Sequence, residues 1–274
     1  MKTSLKFLAA LWFFACAQLA TADEGQRLLR VPGTLSVAVY KEFAPFYDDG
    51  KGIDVDVARL IAERMDAKLS LLPFEADEKM EDDLRNMVWK GHYLGYGPAD
   101  IMMHVPVDKA FMDRNDKVII LAPYFREQMS LVHNREKLAK VETMSVFEQA
   151  SIGVEDASIG SMALLSFEGG KLIKNVRHYH DIGKAFDDLK AGNISAVLAM
   201  NSQVESAMRD SKGFDRLIPP LPGLPPAGWV LGVAVKAGNE ELARRVQAIM
   251  NDLDKEGRLD EIFARYGVRR LRPL

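Results

Sequence analysis

The sequence predicts an α/β protein of two lobes, and three observations predict it. Apolar runs of strand length alternate with amphipathic runs of helix length from residue 34 to about 105. The alternation starts again near residue 130 with different content. A proline-rich stretch, IPPLPGLPPAG at 218–228, then leads to one more apolar strand and two closing helices. Proline lacks an amide donor and resists helix, so that stretch is read as an extended surface connection.

TLSVAVY at 34–40 is the first strand. DVDVARLIAERMDA at 54–67 is a helix, because Val57, Leu60, Ile61 and Met65 recur at three- and four-residue spacing. KLSLLPF at 68–74, a helix over 78–91 stopped by Gly91, and ADIMMHV at 99–105 complete a β-α-β-α-β unit. Such a unit implies parallel strands with right-handed crossovers. In the second half, strands are read at 129–134, 150–156, 174–180 and 194–200, with helices at 158–170, 181–193 and 201–210. WVLGVAVK at 229–236 returns the chain, and helices follow over 239–257 and 259–267.

Composition excludes several function classes. MKTSLK, the short apolar run FLAALWFFACAQLA and the small-residue site ATA form a secretory signal peptide over residues 1–22. The one cysteine, Cys16, leaves with that leader, so the mature chain has neither disulfide nor thiol chemistry. Loss of Lys2 and Lys6 takes the formal charge from −3 to −5, which argues against a nucleic-acid partner. There is no Gly-x-Ser-x-Gly elbow, His-Glu-x-x-His or phosphate loop, so neither catalysis nor a cofactor is expected. His178 and His180 stand two apart, but no third metal ligand is evident; the pair is read as a polar strand end. Tyr93 and Tyr96, in the Gly-Tyr-Gly-Pro loop, are read as padding the first lobe.

Open α/β sheets bind ligands outside the carboxyl ends of their strands, and a cleft between two lobes is a preferred place for a small solute. The loop after the first strand, KEFAPFYDDGKG, therefore attracts interest. Phe43 offers apolar surface there, while Phe46 is expected to pack under the loop.

Several segments together resemble the family 3 extracytoplasmic solute-binding proteins, the polar-amino-acid type. They are FAPFYDDGKGIDVDVARLIAERM, DDLRNMVWKG…ADIMM, APYF, SIGVEDAS, AFDDLKAGNISAVLAM and the ending from WVLGVAVK to FARYG. The resemblance implies a type II periplasmic binding-protein fold: two lobes, each a mostly parallel sheet flanked by helices, joined by two hinge segments and closing on a solute. One lobe would comprise 23–129 plus 229–274 and the other 130–228. The protein would be a periplasmic monomer that hands its solute to an ABC permease in the inner membrane. By the same resemblance, Phe43 flanks the ligand and Arg114, nine residues before Pro123, grips an anionic group through its planar fork. Ser158 donates from the second lobe, and His104 and Asn201 complete the set. The family's ammonium-binding aspartate, eight residues after Gly192, is Met200 here. A methionine cannot pair a buried ammonium. Either the solute has none and is anionic, or Glu155, Asp156 or another group replaces the aspartate, or the cleft no longer binds an amino acid.

A shorter resemblance links DLRNMVWKG…ADIMMHVP, the insertion after it and the YGV ending to accessory proteins of quinoprotein alcohol or methanol dehydrogenases. It implies a dehydrogenase or its cytochrome c as partner. Some relatives on this fold are small dehydratases, a remote third reading.

Overall fold

The computed structural model describes residues 28–219, 221, 225 and 227–273. The leader at 1–22 lies outside the described residues, as does much of the proline-rich connection. The described strands are β1 (Thr34–Tyr40), β2 (Lys68–Phe74), β3 (Ile101–Pro106), β4 (Val118–Glu127), β5 (Met129–Asn134), β6 (Ile152–Glu155), β7 (Val176–Tyr179), β8 (Ala196–Met200), β9 (Phe214–Leu217) and β10 (Trp229–Lys236). The described α-helices are α1 (Ile53–Arg64), α2 (Met80–Leu84), α3 (Lys109–Arg114), α4 (Ile159–Ser166), α5 (Ile182–Lys190), α6 (Asn201–Ala207), α7 (Glu240–Lys255) and α8 (Arg258–Arg265). A π-helical turn, Arg85–Trp89, continues α2.

Two five-stranded sheets result, in the orders β2-β1-β3-β10-β4 and β7-β6-β8-β5-β9. The sheets are mostly parallel, as expected, with one strand in each running against the other four. β1 pairs in parallel with β2 and β3, whereas β10 runs antiparallel to β3 and β4. β6 likewise pairs in parallel with β7 and β8, while β5 runs antiparallel to β8 and β9. The reason is where the chain crosses. β5 and β10 enter from the connection between the lobes, so they run against the strands built by β-α-β crossovers.

Both faces of each sheet are covered. Leu35, Val37 and Val39 of β1 join Val57 and Ile61 of α1, Val246 of α7 and Phe263 of α8 in one core. Ala38 and Met102 face a second core with Leu84, Val88 and Phe111. In the other lobe, Leu131, Val154 and Leu198 face α4's Leu164, and Val132 and Val197 face Phe186 and Leu189 of α5. This two-sided burial explains why β1 and β8 read as apolar runs rather than as alternating strands.

The first crossing is short: Glu127 ends β4, Gln128 follows, and Met129 begins β5. The main-chain N–H of Asn201, at the start of α6, donates to the Gln128 carbonyl at 2.8 Å. Gly228 lies beside this crossing with φ +74°, and a Cβ there would come within 1.8 Å of the Glu127 carbonyl oxygen. Only glycine allows the two connections to approach so closely.

Tyr93 does not pad the lobe. It is 87% exposed, and the His92 ring stacks on Tyr96 at 4.2 Å instead.

Candidate functional site

The loop from β1 to α1 is a compact hook. Phe43 and Tyr47 exchange main-chain hydrogen bonds at 3.0 and 2.9 Å, and the Phe46 N–H donates to the Phe43 carbonyl at 2.8 Å. Phe46 is fully buried under the loop, as expected, with the half-buried Phe43 ring stacked on it at 5.4 Å. Gly52 closes the hook with φ +133°, where a Cβ would meet the Phe46 carbonyl oxygen at 2.1 Å. That contact sets the direction in which α1 leaves the loop.

Behind the hook lies a buried polar cluster. The Tyr124 hydroxyl donates to Asp54 Oδ1 at 2.7 Å, and His104 Nδ1 lies 3.4 Å from Asp54 Oδ2 and 3.5 Å from the Tyr124 hydroxyl. The His104 ring meets Phe43 edge-on at 4.8 Å and Phe46 at 4.3 Å. Burial, followed by the charge and hydrogen bond of Asp54, pushes the Tyr124 phenol well above its usual range. His104 therefore holds the loop from beneath and does not face the cleft.

The other expected site residues scatter. Arg114 ends α3, is exposed, and lies over its own Phe111 ring at 6.0 Å. The chain there is turning back toward the amino end of β3, since Ile101 and Ile119 both pair with Val235. That is the end of the sheet away from the β1 loop. Ser158 caps α4: its hydroxyl accepts from the Ser161 N–H at 3.0 Å and donates to the Glu155 carbonyl at 2.8 Å. Its proton is thus committed within the lobe rather than offered to a solute. Asn201 is buried at the hinge end of α6.

The cavity between the lobes is built from other groups. It encloses about 450 Å³. Glu42, Tyr47 and Asp48 of the hook form one wall, and Glu155, Asp181 and Gln203 face them from the second lobe. None of Phe43, His104, Arg114, Ser158 and Asn201 lines it. Four carboxylates converge there, His180 is the one ring nitrogen base among the lining residues, and no lysine or arginine lines it. Burial raises the Glu155 carboxyl above its usual range; a hydrogen bond from Gln203 opposes that, and the neighbouring Asp181 and Asp156 add to it. Outside the cavity, Lys41 is paired with Glu75 at 2.6 Å. Among the described residues no group of three or more His, Cys, Asp or Glu side chains could hold a metal ion.

All these lining groups lie at or just beyond the carboxyl ends of parallel strands: β1 for the hook, β6 for Glu155, β7 for His180 and Asp181, and β8 for Gln203. Sequence reasoning noted Glu155 and read His180 only as part of a polar strand end, and it did not single out Asp181 or Gln203. Their signal was position after a parallel strand, not residue type.

The fold is that of the two-lobed amino-acid solute-binding proteins. An ancestral cationic amino-acid solute-binding protein superposes with a TM-score of 0.66 at 19% identity, covering 86% of this chain and 96% of its own. An amino-acid ABC-transporter substrate-binding protein from Streptococcus pneumoniae, bound to L-arginine, gives 0.61 at 21% identity over 86% and 94%. In sequence the chain is similar to a probable histidine-binding protein of Neisseria gonorrhoeae, 23% identical over 241 residues, 84% of this chain and 81% of the relative. It is also similar to the glutamine-binding protein of a Bacillus subtilis ABC transporter, 24% identical over 79% of this chain and 72% of that one. No family profile matches the chain. The relatives accord with the family 3 resemblance and lend no support to the quinoprotein branch. They are binding proteins rather than enzymes, although the ancestral protein is also described as a precursor of cyclohexadienyl dehydratase. No described helix is long and apolar enough to cross a membrane.

Proposed function

We propose that this protein is the extracytoplasmic substrate-binding component of an ABC-type amino-acid uptake system, and that its solute carries positive charge. One observation carries the second part: four carboxylates and no lysine or arginine line the cavity between the lobes. An anionic solute would be desolvated there against like charge, so the expectation of an anion is given up. A cation would find the counter-charges that a closed cleft requires. Glu155 and Asp181 then take over from the aspartate that Met200 replaces. A volume of about 450 Å³ suits a single amino acid or small diamine, within the usual range for ligand clefts. The arginine-bound and cationic-amino-acid neighbours support the same charge.

Isothermal titration against lysine, arginine, histidine, putrescine, glutamine and glutamate tests this. At least one cation should bind, and glutamate should not. The double variant Glu155→Gln, Asp181→Asn should weaken that binding about tenfold or more, the scale of a lost charge-assisted contact. Arg114→Ala should leave it unchanged. Tight binding of glutamate, with loss of affinity in Arg114→Ala, would reverse the assignment.

A further inference from the structure

A second cavity, of about 320 Å³, lies on the other side of α6. Gln203, Ser206 and Ala207 face the interlobe cavity, whereas Glu205, Met208 and Arg209 face this one. Its walls come from both lobes. α6, the turn after it and β9 contribute Arg209, Ser211 and Arg216, and the segment after α8 contributes Gly267 and Arg269. That segment is tied to the first sheet: the Arg126 N–H donates to the Leu271 carbonyl at 2.9 Å, and Arg270 Nε donates to the Tyr124 carbonyl at 2.7 Å.

The charge here is opposite to that of the cleft. Three arginines, all of them exposed, line the cavity against one acidic residue, Glu205. That carboxylate is already used. Its Oε2 accepts the Arg269 main-chain N–H at 2.7 Å, and its Oε1 lies 3.6 Å from Arg216. Among the described residues, neither Arg209 nor Arg269 has a carboxylate within ion-pair distance of its guanidinium. Arg209 is also braced. Its stem crosses Gly267, φ +77°, where a Cβ would stand 2.9 Å from Arg209 Cδ. Any other residue at 267 would push that stem aside.

We infer that this cavity is a binding site for a small, multiply charged oxyanion, a phosphate or a polycarboxylate, held by Arg209, Arg216 and Arg269. Planar guanidinium forks match the paired oxygens of both groups, and three of them around one carboxylate leave two positive charges uncompensated. The cavity shares no lining residue with the cleft, so the two sites can be occupied together. An anion here would bridge the second lobe to the C-terminal segment of the first.

The test is titration of inorganic phosphate and, separately, citrate into the purified protein at low ionic strength, with sodium chloride at matched ionic strength as reference. One of the two anions should give saturable one-to-one binding and raise the melting temperature beyond the chloride reference. Which one does so separates a phosphate site from a carboxylate site. Arg209→Glu should abolish the effect, and Arg269→Ala should weaken it about tenfold or more. Arg269→Ala keeps the main-chain bond to Glu205, so it reports on the guanidinium even if Arg209→Glu fails to fold. Responses no larger than chloride's, or unchanged in Arg269→Ala, would overturn the assignment.

Discussion

Replacing Glu127 with glutamine isolates one buried charge at the crossing between the lobes. Glu127 ends β4 and is fully buried. Its Oε1 accepts the Gln128 N–H at 2.9 Å and the Ser202 N–H at 3.4 Å, and its Oε2 accepts the Ser202 hydroxyl. Those bonds and nearby His104 favour the ionised form, but desolvation is larger and pushes the carboxyl from 4.5 up to about 7. The folded state therefore holds a proton that the unfolded chain releases between those two values. The sign follows from linkage: stability is unaffected by this group below about pH 4.5, falls as pH rises, and has lost the full increment above about pH 7. The displacement from 4.5 to about 7 corresponds to about 3 kcal/mol. Glutamine keeps an acceptor oxygen for the two N–H groups and can donate to the Ser202 hydroxyl, as the protonated acid does. Urea unfolding of both proteins at pH 5, 6, 7 and 8 should show Glu127→Gln gaining on the wild type by about 2 kcal/mol or slightly more across that range, since part of the increment is already lost at pH 5. A difference that stays flat with pH would show that Glu127 is ionised throughout and refute the reasoning.

Two further predictions concern the hook. Gly52→Ala should destabilise by several kcal/mol, since its Cβ would overlap the Phe46 carbonyl at a left-handed φ; a melting curve within a degree of the wild type would contradict that clash. Tyr124→Phe should cost about 1–3 kcal/mol, because it strips a 2.7 Å hydrogen bond from buried Asp54, and chemical denaturation reads the loss directly.

Much of the fold was legible in local pattern. β1, α1, β2, β5 and β10 lie where apolar runs and helical spacing place them, because each is dictated by contiguous residues. Among the described strands and α-helices, three were not recognised: α3, β4 and β9. β4 carries Ala122 and Pro123 in the middle of its run, and α3 is under two turns long. The direction of β10 was not legible either, since it depends on how the chain crosses between lobes and not on its own residues. The site was less legible still. Arg114 satisfied a linear spacing from Pro123, but it ends α3, a helix that runs back toward the start of β4, and it does not line the cavity. His104 was read among the ligand contacts, yet the Phe43 and Phe46 rings lie against it. Asp181 belongs to a loop whose only mark was that a parallel strand precedes it.

The place of β10 has a consequence for how the chain is made. Among the described residues it alone joins β3 to β4, and it comes from residues 229–236 of 274. Until that segment has emerged, both strands carry a bare edge and the first sheet has no continuous middle. The second sheet, all of whose strands lie within 129–217, can assemble earlier. Synthesis thus leaves the first sheet incomplete until most of the polypeptide exists.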